Sequence, residues 1–340
     1  MSKLYVGIDL HSSNNYIGII NDEGDKVYHR RLPNDIGEIL NTLEPYKKDH
    51  EGVVVESTYN WYWLVDALQD NNYKVHLANP SAIRQYEGIK HTDDKWDSFW
   101  LGNLLRLNIL PVGYIYPKEE RAVRDLLRRR MFFVRQRTAQ ILSIQGVITR
   151  NLGIRYSNNR IKRLTESEVD EIFDNHYLAV SAKCAVSNIT SLSEKINFIE
   201  KEIKDRVKFR PEYEYLTTVP GIGPILAFTI MLETGDINRF PKVGNYSSYC
   251  RCVKTQRLSN GKQKGKGNAK NGNKYLAWAY VEAANFARRY SSEAGKFYQR
   301  KMAKTNSILA TKALSNKLAR ASYYIIRDRV PYDPKKLFPK

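Results

Sequence analysis

The chain has 340 residues, enough for about two domains, and 42% of them are hydrophobic, which is ample for packed cores. Lys and Arg total 55 against 36 Asp and Glu, and the formal net charge of +19 points to a polyanion, nucleic acid first and an anionic membrane surface second. No run of about 18 apolar residues and no signal-peptide pattern occurs, so neither a membrane span nor export is expected.

Three cysteines, Cys184, Cys250 and Cys252, are too few for a disulfide framework and fit a reducing cytoplasm. Cys250-x-Cys252 has no second cysteine pair nearby, so two reduced structural thiols are expected there in preference to zinc.

The chain opens with three predicted strands, Leu4 to Leu10, Tyr16 to Ile20 and Lys26 to Arg31. An amphipathic helix over about 35–47 follows, then a β-branched strand at 52–57 ending on Glu56. A helix at 61–72, a strand at 73–80 and a Trp/Leu-faced helix at 93–107 complete the segment. A three-strand meander followed by strands separated by helices predicts a layered α/β domain of the RNase H kind.

Residues 118–152 contain no Pro and one Gly, and Leu127, Val134, Ile141 and Ile148 recur every seven positions. Ala185, Ile189, Leu192, Ile196, Ile199 and Ile203 step alternately by four and three, a heptad seam. Two long helices are predicted, about 118–150 and 181–208, packing on each other by preference or on a second protomer. Arg121, Arg124, Arg128 and Arg135 share one face of the first, with Arg129, Arg130 and Arg137 beside them. Beyond Asp125 no acid follows until Glu166, which favours phosphate contact over a merely solvated face.

From 211 a third, mostly helical region is predicted. Val-Pro-Gly-Ile-Gly-Pro at 219–224 lies between two helical patterns, and Gly221 and Gly223 would open backbone N–H groups to a phosphate at a helix start. This resembles a helix-hairpin-helix DNA-backbone binder, with a plain helix–helix turn as the alternative. Residues 259–274 are rich in Gly and Lys and predict an exposed, flexible, basic loop, in which Ser259 is the one hydroxyl residue; an apolar helix begins near Lys274. The expected divisions are 1–112, 113–210 and 211–340.

Four carboxylates carry the candidate chemistry. Asp9 and Glu56 end two strands that would be neighbours. Asp94 and Asp97 are three apart on a helix and share a face; Asp93 and Asp97, four apart, would share one too, and spacing alone does not choose. Carboxylates gathered at a buried sheet edge repel unless a cation neutralises them, and oxygen ligands suit Mg²⁺ or Mn²⁺. Taken singly, each acid has an ordinary structural explanation, such as a turn or helix cap; their joint placement favours a metal site.

"GIDLH", "VVVES", "DDKWDS", "VPGIGPILAFTIMLETGDINRF" and "KNGNKYLAWAYVEAANFA" occur in an order that resembles the DEDD-type insertion-sequence transposases, also described as bridge-RNA-guided serine recombinases. The resemblance covers nearly the whole chain and is most specific in the C-terminal motifs. It implies a RuvC-like N-terminal domain, a long helical coiled-coil middle and a mostly α C-terminal transposase domain. It further implies Asp9, Glu56, Asp94 and Asp97 as catalytic metal ligands and Ser259 as nucleophile. Two departures stand out: Thr92-Asp93-Asp94-Lys95-Trp96-Asp97-Ser98 where the family commonly has Lys-Thr-Asp-x-x-Asp-Ala, and Ser259-Asn260-Gly261 where it has Ser-Gly-Gly or Ser-Ser-Gly.

The implied activity is Mg²⁺-dependent strand cleavage and exchange through a covalent 5′-phosphoserine. Lys262 and Lys264, the arginines Arg121, Arg124, Arg128 and Arg135, and Gly221 and Gly223 are the expected nucleic-acid contacts. The implied partners are donor and target DNA, a guide (bridge) RNA and further copies of the chain, as dimers and a tetrameric synapse, with no membrane. The setting would be a prokaryotic cytoplasm, at the nucleoid during reaction. The alternatives are a RuvC-like structure-selective nuclease that uses water, and a non-catalytic nucleic-acid binder.

Overall fold

The structure, a computed structural model, describes residues 3–83, 93–206, 210–254, 258–265 and 271–338. Thr92 of the acidic motif lies outside them. The chain divides into two compact units, Met1–Lys118 and Glu119–Lys340.

The first unit is built on one sheet of β1 (Leu4–Leu10), β2 (Asn14–Ile20), β3 (Lys26–Pro33), β4 (His50–Glu56) and β5 (Val75–Ala78). Strand order is β3-β2-β1-β4-β5; β1 pairs antiparallel with β2 and parallel with β4. This mixed sheet is consistent with an RNase H-like domain. Helices α1 (Ile36–Leu43) and α2 (Tyr62–Asp70) supply Ile39, Leu43, Leu64, Val65 and Leu68 to one face, where Leu4, Val6, Ile8, Val53 and Val55 are buried. Strand side chains alternate, so Gly7 and Asp9 of β1 and Val54 and Glu56 of β4 belong to the other face.

That second face is covered by α3 (Asp94–Arg106). The helix lies unusually close because the contact positions are small. At Gly18 a side-chain carbon would sit 2.6 Å from Ser98 Oγ, and at Gly102 one would sit 3.2 Å from the Tyr5 carbonyl oxygen. Trp61 is buried in the opposite core.

The second unit opens with two long helices, α4 (Lys118–Leu152) and α7 (His176–Arg206), joined through the short α5 (Asn158–Ile161) and α6 (Glu166–Ile172). Thr165 and Glu168 form a reciprocal capping box at the start of α6. The long helices run antiparallel within the chain. Leu127 is buried with Ile199 and Ile203, and at the far end Ile141, Ile144 and Ile148 are buried with Ala182, Val186 and Ile189. Arg130 to Glu200 at 2.6 Å and Arg137 to Ser193 at 3.0 Å tie the middle. The two seven-residue periods thus mark a seam inside one chain.

The remaining helices are α8 (Pro211–Thr217), α9 (Pro224–Thr234), α10 (Val243–Tyr249), α11 (Lys274–Tyr290), α12 (Ser292–Lys304), α13 (Ser307–Asp328) and α14 (Pro334–Leu337). Every residue of α9 from Leu226 to Thr234 is buried, including Thr229, Glu233 and Thr234 among the apolar side chains. Its core is continuous with Leu127, Ile199 and Ile203, so the helical middle and the C-terminal helices belong to one unit. Cys250 and Cys252 are buried free thiols in that core. Among the described residues no helix is long and apolar enough to cross a membrane.

Candidate metal centre and serine hairpin

The parallel register sets Ile8 against Val55, so Asp9 and Glu56, one residue on in each strand, reach the same sheet edge on the α3 face. Asp93 is the N-cap of α3: its Oδ1 accepts from Trp96 N–H at 2.7 Å. The cap absorbs Asp93 and leaves Asp94 and Asp97 in the first turn, above the strand ends. Of the two spacings that the sequence left open, the structure sets Asp94 beside Asp9.

His11 sits between them. Its Nε2 is 3.1 Å from Asp9 Oδ2 and 3.3 Å from Asp94 Oδ1, yet it makes no aligned hydrogen bond with either. Ligand atoms of Asp9, His11 and Asp94 all lie within 4.8 Å of one another. The backbone carbonyl of His11 is fixed by the side-chain amides of Asn34 and Asn60, at 3.0 and 2.9 Å. His11 was not among the residues expected at the site. The available signal was its position two residues after Asp9, on the same side of the strand.

The electrostatics are those of a site short of positive charge. Asp9 is only 4% exposed. Burial pushes its carboxyl up to about 7; His11 opposes the rise, and the charges of Glu56 and Asp97 add to it. Asp97 is likewise raised, by burial first and then by Glu56, Asp94 and Asp93. Asp94, half-exposed, stands at the mouth. A buried carboxylate ringed by others, facing one imidazole, is a donor set suited to a hard divalent cation.

The second unit carries Ser259. At the start of the exposed, basic loop expected from composition, the described residues form a short hairpin of β6 (Leu258–Ser259) and β7 (Lys262–Gln263), and residues 266–270 of that loop lie outside the described residues. Ser259 pairs with Lys262 across Asn260 (φ 49°) and Gly261 (φ 71°), both left-handed, the backbone signature of a two-residue turn. Ser259, Lys262 and Lys264 are all exposed.

The arginine face of α4 is a correction. Arg121 and Arg124 are buried, at 4% and 7% exposure, and are not displayed to a phosphate backbone. For Arg124 the partner lies on α9: Glu233, 2% exposed, accepts from Arg124 Nε at 3.1 Å and from Arg128 Nε at 2.6 Å. Asn273 Nδ2, next to the helix start that follows the serine segment, donates to the same carboxylate at 2.7 Å. Although burial pushes Glu233 up, the Arg128 hydrogen bond and the two guanidinium charges outweigh it and hold the carboxyl below its usual value. Arg135 remains exposed.

The turn between α8 and α9 also divides its glycines. Gly221 (φ 89°) is where the chain meets α11: a side chain there would collide with the Ala283 carbonyl. Gly223 is exposed, with open space beside it, and forms the uncapped start of α9.

Two family models match the chain. A DEDD-type IS110 model described as "Transposase" covers residues 6–151, and a model described as "Transposase IS116/IS110/IS902 family" covers residues 213–299. The transposase for insertion sequence element IS1328 of Yersinia enterocolitica is 24% identical over 94% of this chain and 96% of its own length. A probable family 20 transposase of Pseudomonas aeruginosa is 22% identical over 80% of this chain and 82% of its own. The transposase for insertion sequence element IS1111A of Coxiella burnetii is 25% identical over about half of each chain, 51% and 48%. The first model spans the acids and the second spans the serine hairpin, in that order, and together they place the chain among the IS110-type DEDD transposases, which makes it a DNA transposase.

Proposed function

We propose that the protein cuts and rejoins DNA through Ser259, with Asp9, Glu56, Asp94 and Asp97 holding Mg²⁺ or Mn²⁺ and His11 completing the set. The observation that carries this reading is the convergence of those acids, from two strand ends and one helix start, around a buried carboxylate raised to about 7. The ion, when bound, would supply positive charge to a phosphodiester whose charge grows during displacement.

Ser259 is the proposed nucleophile. Its Oγ forms a bond to phosphorus, the P–O3′ bond breaks, and the hydroxyl proton passes by way of a base to the departing 3′ oxygen. The product is a 5′-phosphoserine and a free 3′-hydroxyl. Attack by the 3′-hydroxyl of another strand reverses the step, restores a phosphodiester and returns the serine, so no outside energy source is needed. The hairpin supports this role because it holds Ser259 exposed beside Lys262, a cation suited to the phosphate. Lys264, Arg135 and the open start of α9 at Gly223 are the further backbone contacts in this reading. Donor and target DNA are the substrates, a guide RNA selects them, and the chain works as a dimer that pairs into a tetramer.

A denaturing gel tests the proposal. Protein, flanking non-coding RNA, labelled donor and target DNA and Mg²⁺ are incubated beside Ser259→Ala. A protein–DNA adduct in the wild type and none in the variant is expected. Free cleaved DNA from both, with no adduct, would instead establish a nuclease that uses water.

A further inference from the structure

The C-terminal helices hold a feature that neither the acids nor the serine uses. Across 292–338, eleven Lys and Arg stand against three acids, Glu293, Asp328 and Asp333. These cations are not spread evenly. A cavity of about 520 Å³ is lined by Arg300, Lys301 and Lys304 of α12, Lys317 of α13, and the rings of Phe297 and Phe338, with no acidic side chain among the described residues of its wall. A second cavity, about 800 Å³, shares Lys317 and continues past Arg320, Tyr324, Tyr332 and Lys336, with Asp328 and Asp333 also in its wall.

Lys317 is the hinge of this surface. Its Nζ donates to the Leu337 carbonyl at 2.7 Å and lies 5.2 Å from the centroids of both Phe297 and Phe338. The two rings are themselves 5.7 Å apart and tilted by 50°. One ammonium is thus fixed against two aromatic faces, with three exposed cations on the neighbouring turns of α12. Burial and then the charges of Arg320, Arg300 and Lys301 hold Lys317 below its ordinary value. A polyanion would relieve that crowding.

Each cavity falls in the range of roughly 300–1,000 Å³ that suits small ligands, and together they make a track for more than one. Rings beside clustered cations are the elements that bind single strands: phosphates on the cations, bases on the ring faces. A duplex keeps its bases stacked on each other and gains nothing from the rings. We propose that the face formed by α12, α13 and α14 is a binding track for single-stranded nucleic acid, with phosphates on Arg300, Lys301, Lys304 and Lys317 and a base on Phe338 or Phe297. It rests on the function proposed above only for the class of ligand.

The test uses the full chain and oligonucleotides of about eight nucleotides carrying 5-iodouracil, one set ribo and one deoxy, with photo-cross-links located by peptide mass spectrometry. Cross-links to Phe297, Tyr324 or Phe338 are expected. Phe338→Ala should weaken single-strand binding about tenfold and leave duplex binding unchanged, in line with one lost stack. Combined Arg300→Gln, Lys301→Gln and Lys304→Gln should lower the salt slope of single-strand binding by about two. Tighter ribo binding assigns the track to RNA; tighter or equal deoxy binding assigns it to a DNA strand. Cross-links confined to other segments, no binding of either oligonucleotide, or equal losses for duplex and single strand in Phe338→Ala would each overturn the proposal. Strand transfer without cross-links here removes this track alone. Cross-links here from a protein that never cuts DNA leave the track standing and sink the reaction.

Discussion

Gly7 on β1 lies directly beneath Ser98 on α3, so close that a single side-chain carbon would collide with the Ser98 carbonyl. This contact sets the height of the helix above the sheet, and with it the approach of Asp94 and Asp97 to Asp9. Gly7→Ala must lift α3 or bend β1. Overpacking of this kind costs about 1–3 kcal/mol. The expected outcome is a lower unfolding midpoint together with a weakened response to Mg²⁺, measured by thermal unfolding with and without the ion. An unchanged midpoint would mean that α3 does not depend on this contact.

The acid cluster predicts an unusual dependence on pH. The Asp9 carboxyl is about 7 in the folded chain against an ordinary value of 3.8. Between those values the folded state holds a proton that the unfolded state has lost, so stability of the metal-free protein falls as pH rises. Asp9→Asn removes that penalty and should raise metal-free stability at pH 8, on the order of 1 kcal/mol after allowance for coupling to Glu56 and Asp97. The same variant should lose both activity and stabilisation by Mg²⁺. In the wild type, proton and cation compete, so Mg²⁺ should stabilise more at pH 8 than at pH 6. A variant that is less stable than wild type at pH 8 without metal would refute this account of the cluster.

The buried Glu233 has the opposite sign. Arg128 and Arg124 hold its carboxyl below the ordinary 4.5. Its contribution is therefore complete above about that value and disappears as pH falls through its lower folded value. Glu233→Gln leaves two guanidinium groups without their counter-charge, and breaking a buried pair in this way costs about 3–5 kcal/mol. The variant should be destabilised at pH 7 and less sensitive than wild type to acid below pH 4. Urea unfolding at both pH values measures the difference; equal losses at pH 7 and pH 3 would count against the pairing.

Those contrasts show what the sequence makes legible. The alternating strands, the two long helices and the four acids follow from local periodicity and strand-end position, and the structure keeps each element within a few residues of its predicted span. The arginine face of α4 did not follow, because an isolated helix shows no partner. Glu233 lies 109 positions beyond Arg124 in the chain, and only packing of α9 against α4 brings them together. The choice between Asp93 and Asp94 needed a cap hydrogen bond that spacing does not specify. His11 lay in a quoted motif but is invisible until the strand is given two faces.

The serine hairpin is the case where the signal was local and competing composition hid it. Asn260-Gly261 is the dipeptide of a two-residue turn, but the surrounding glycines and lysines predict an open loop. The turn gives Ser259 a defined partner across the hairpin, Lys262. Gly261 holds φ 71°, where a β-branched residue is strained by about 1–2 kcal/mol. Among the described residues no atom lies within 4 Å of the space that its side chain would enter, so the backbone resists substitution. Gly261→Val should therefore leave the unfolding midpoint and DNA affinity near wild type and lower the rate of covalent adduct formation, on the order of tenfold for about 1.4 kcal/mol of lost positioning. Asn260→Gly, which keeps the turn, should retain most of the rate. Adduct formation by Gly261→Val at the wild-type rate would show that Ser259 reacts without the hairpin.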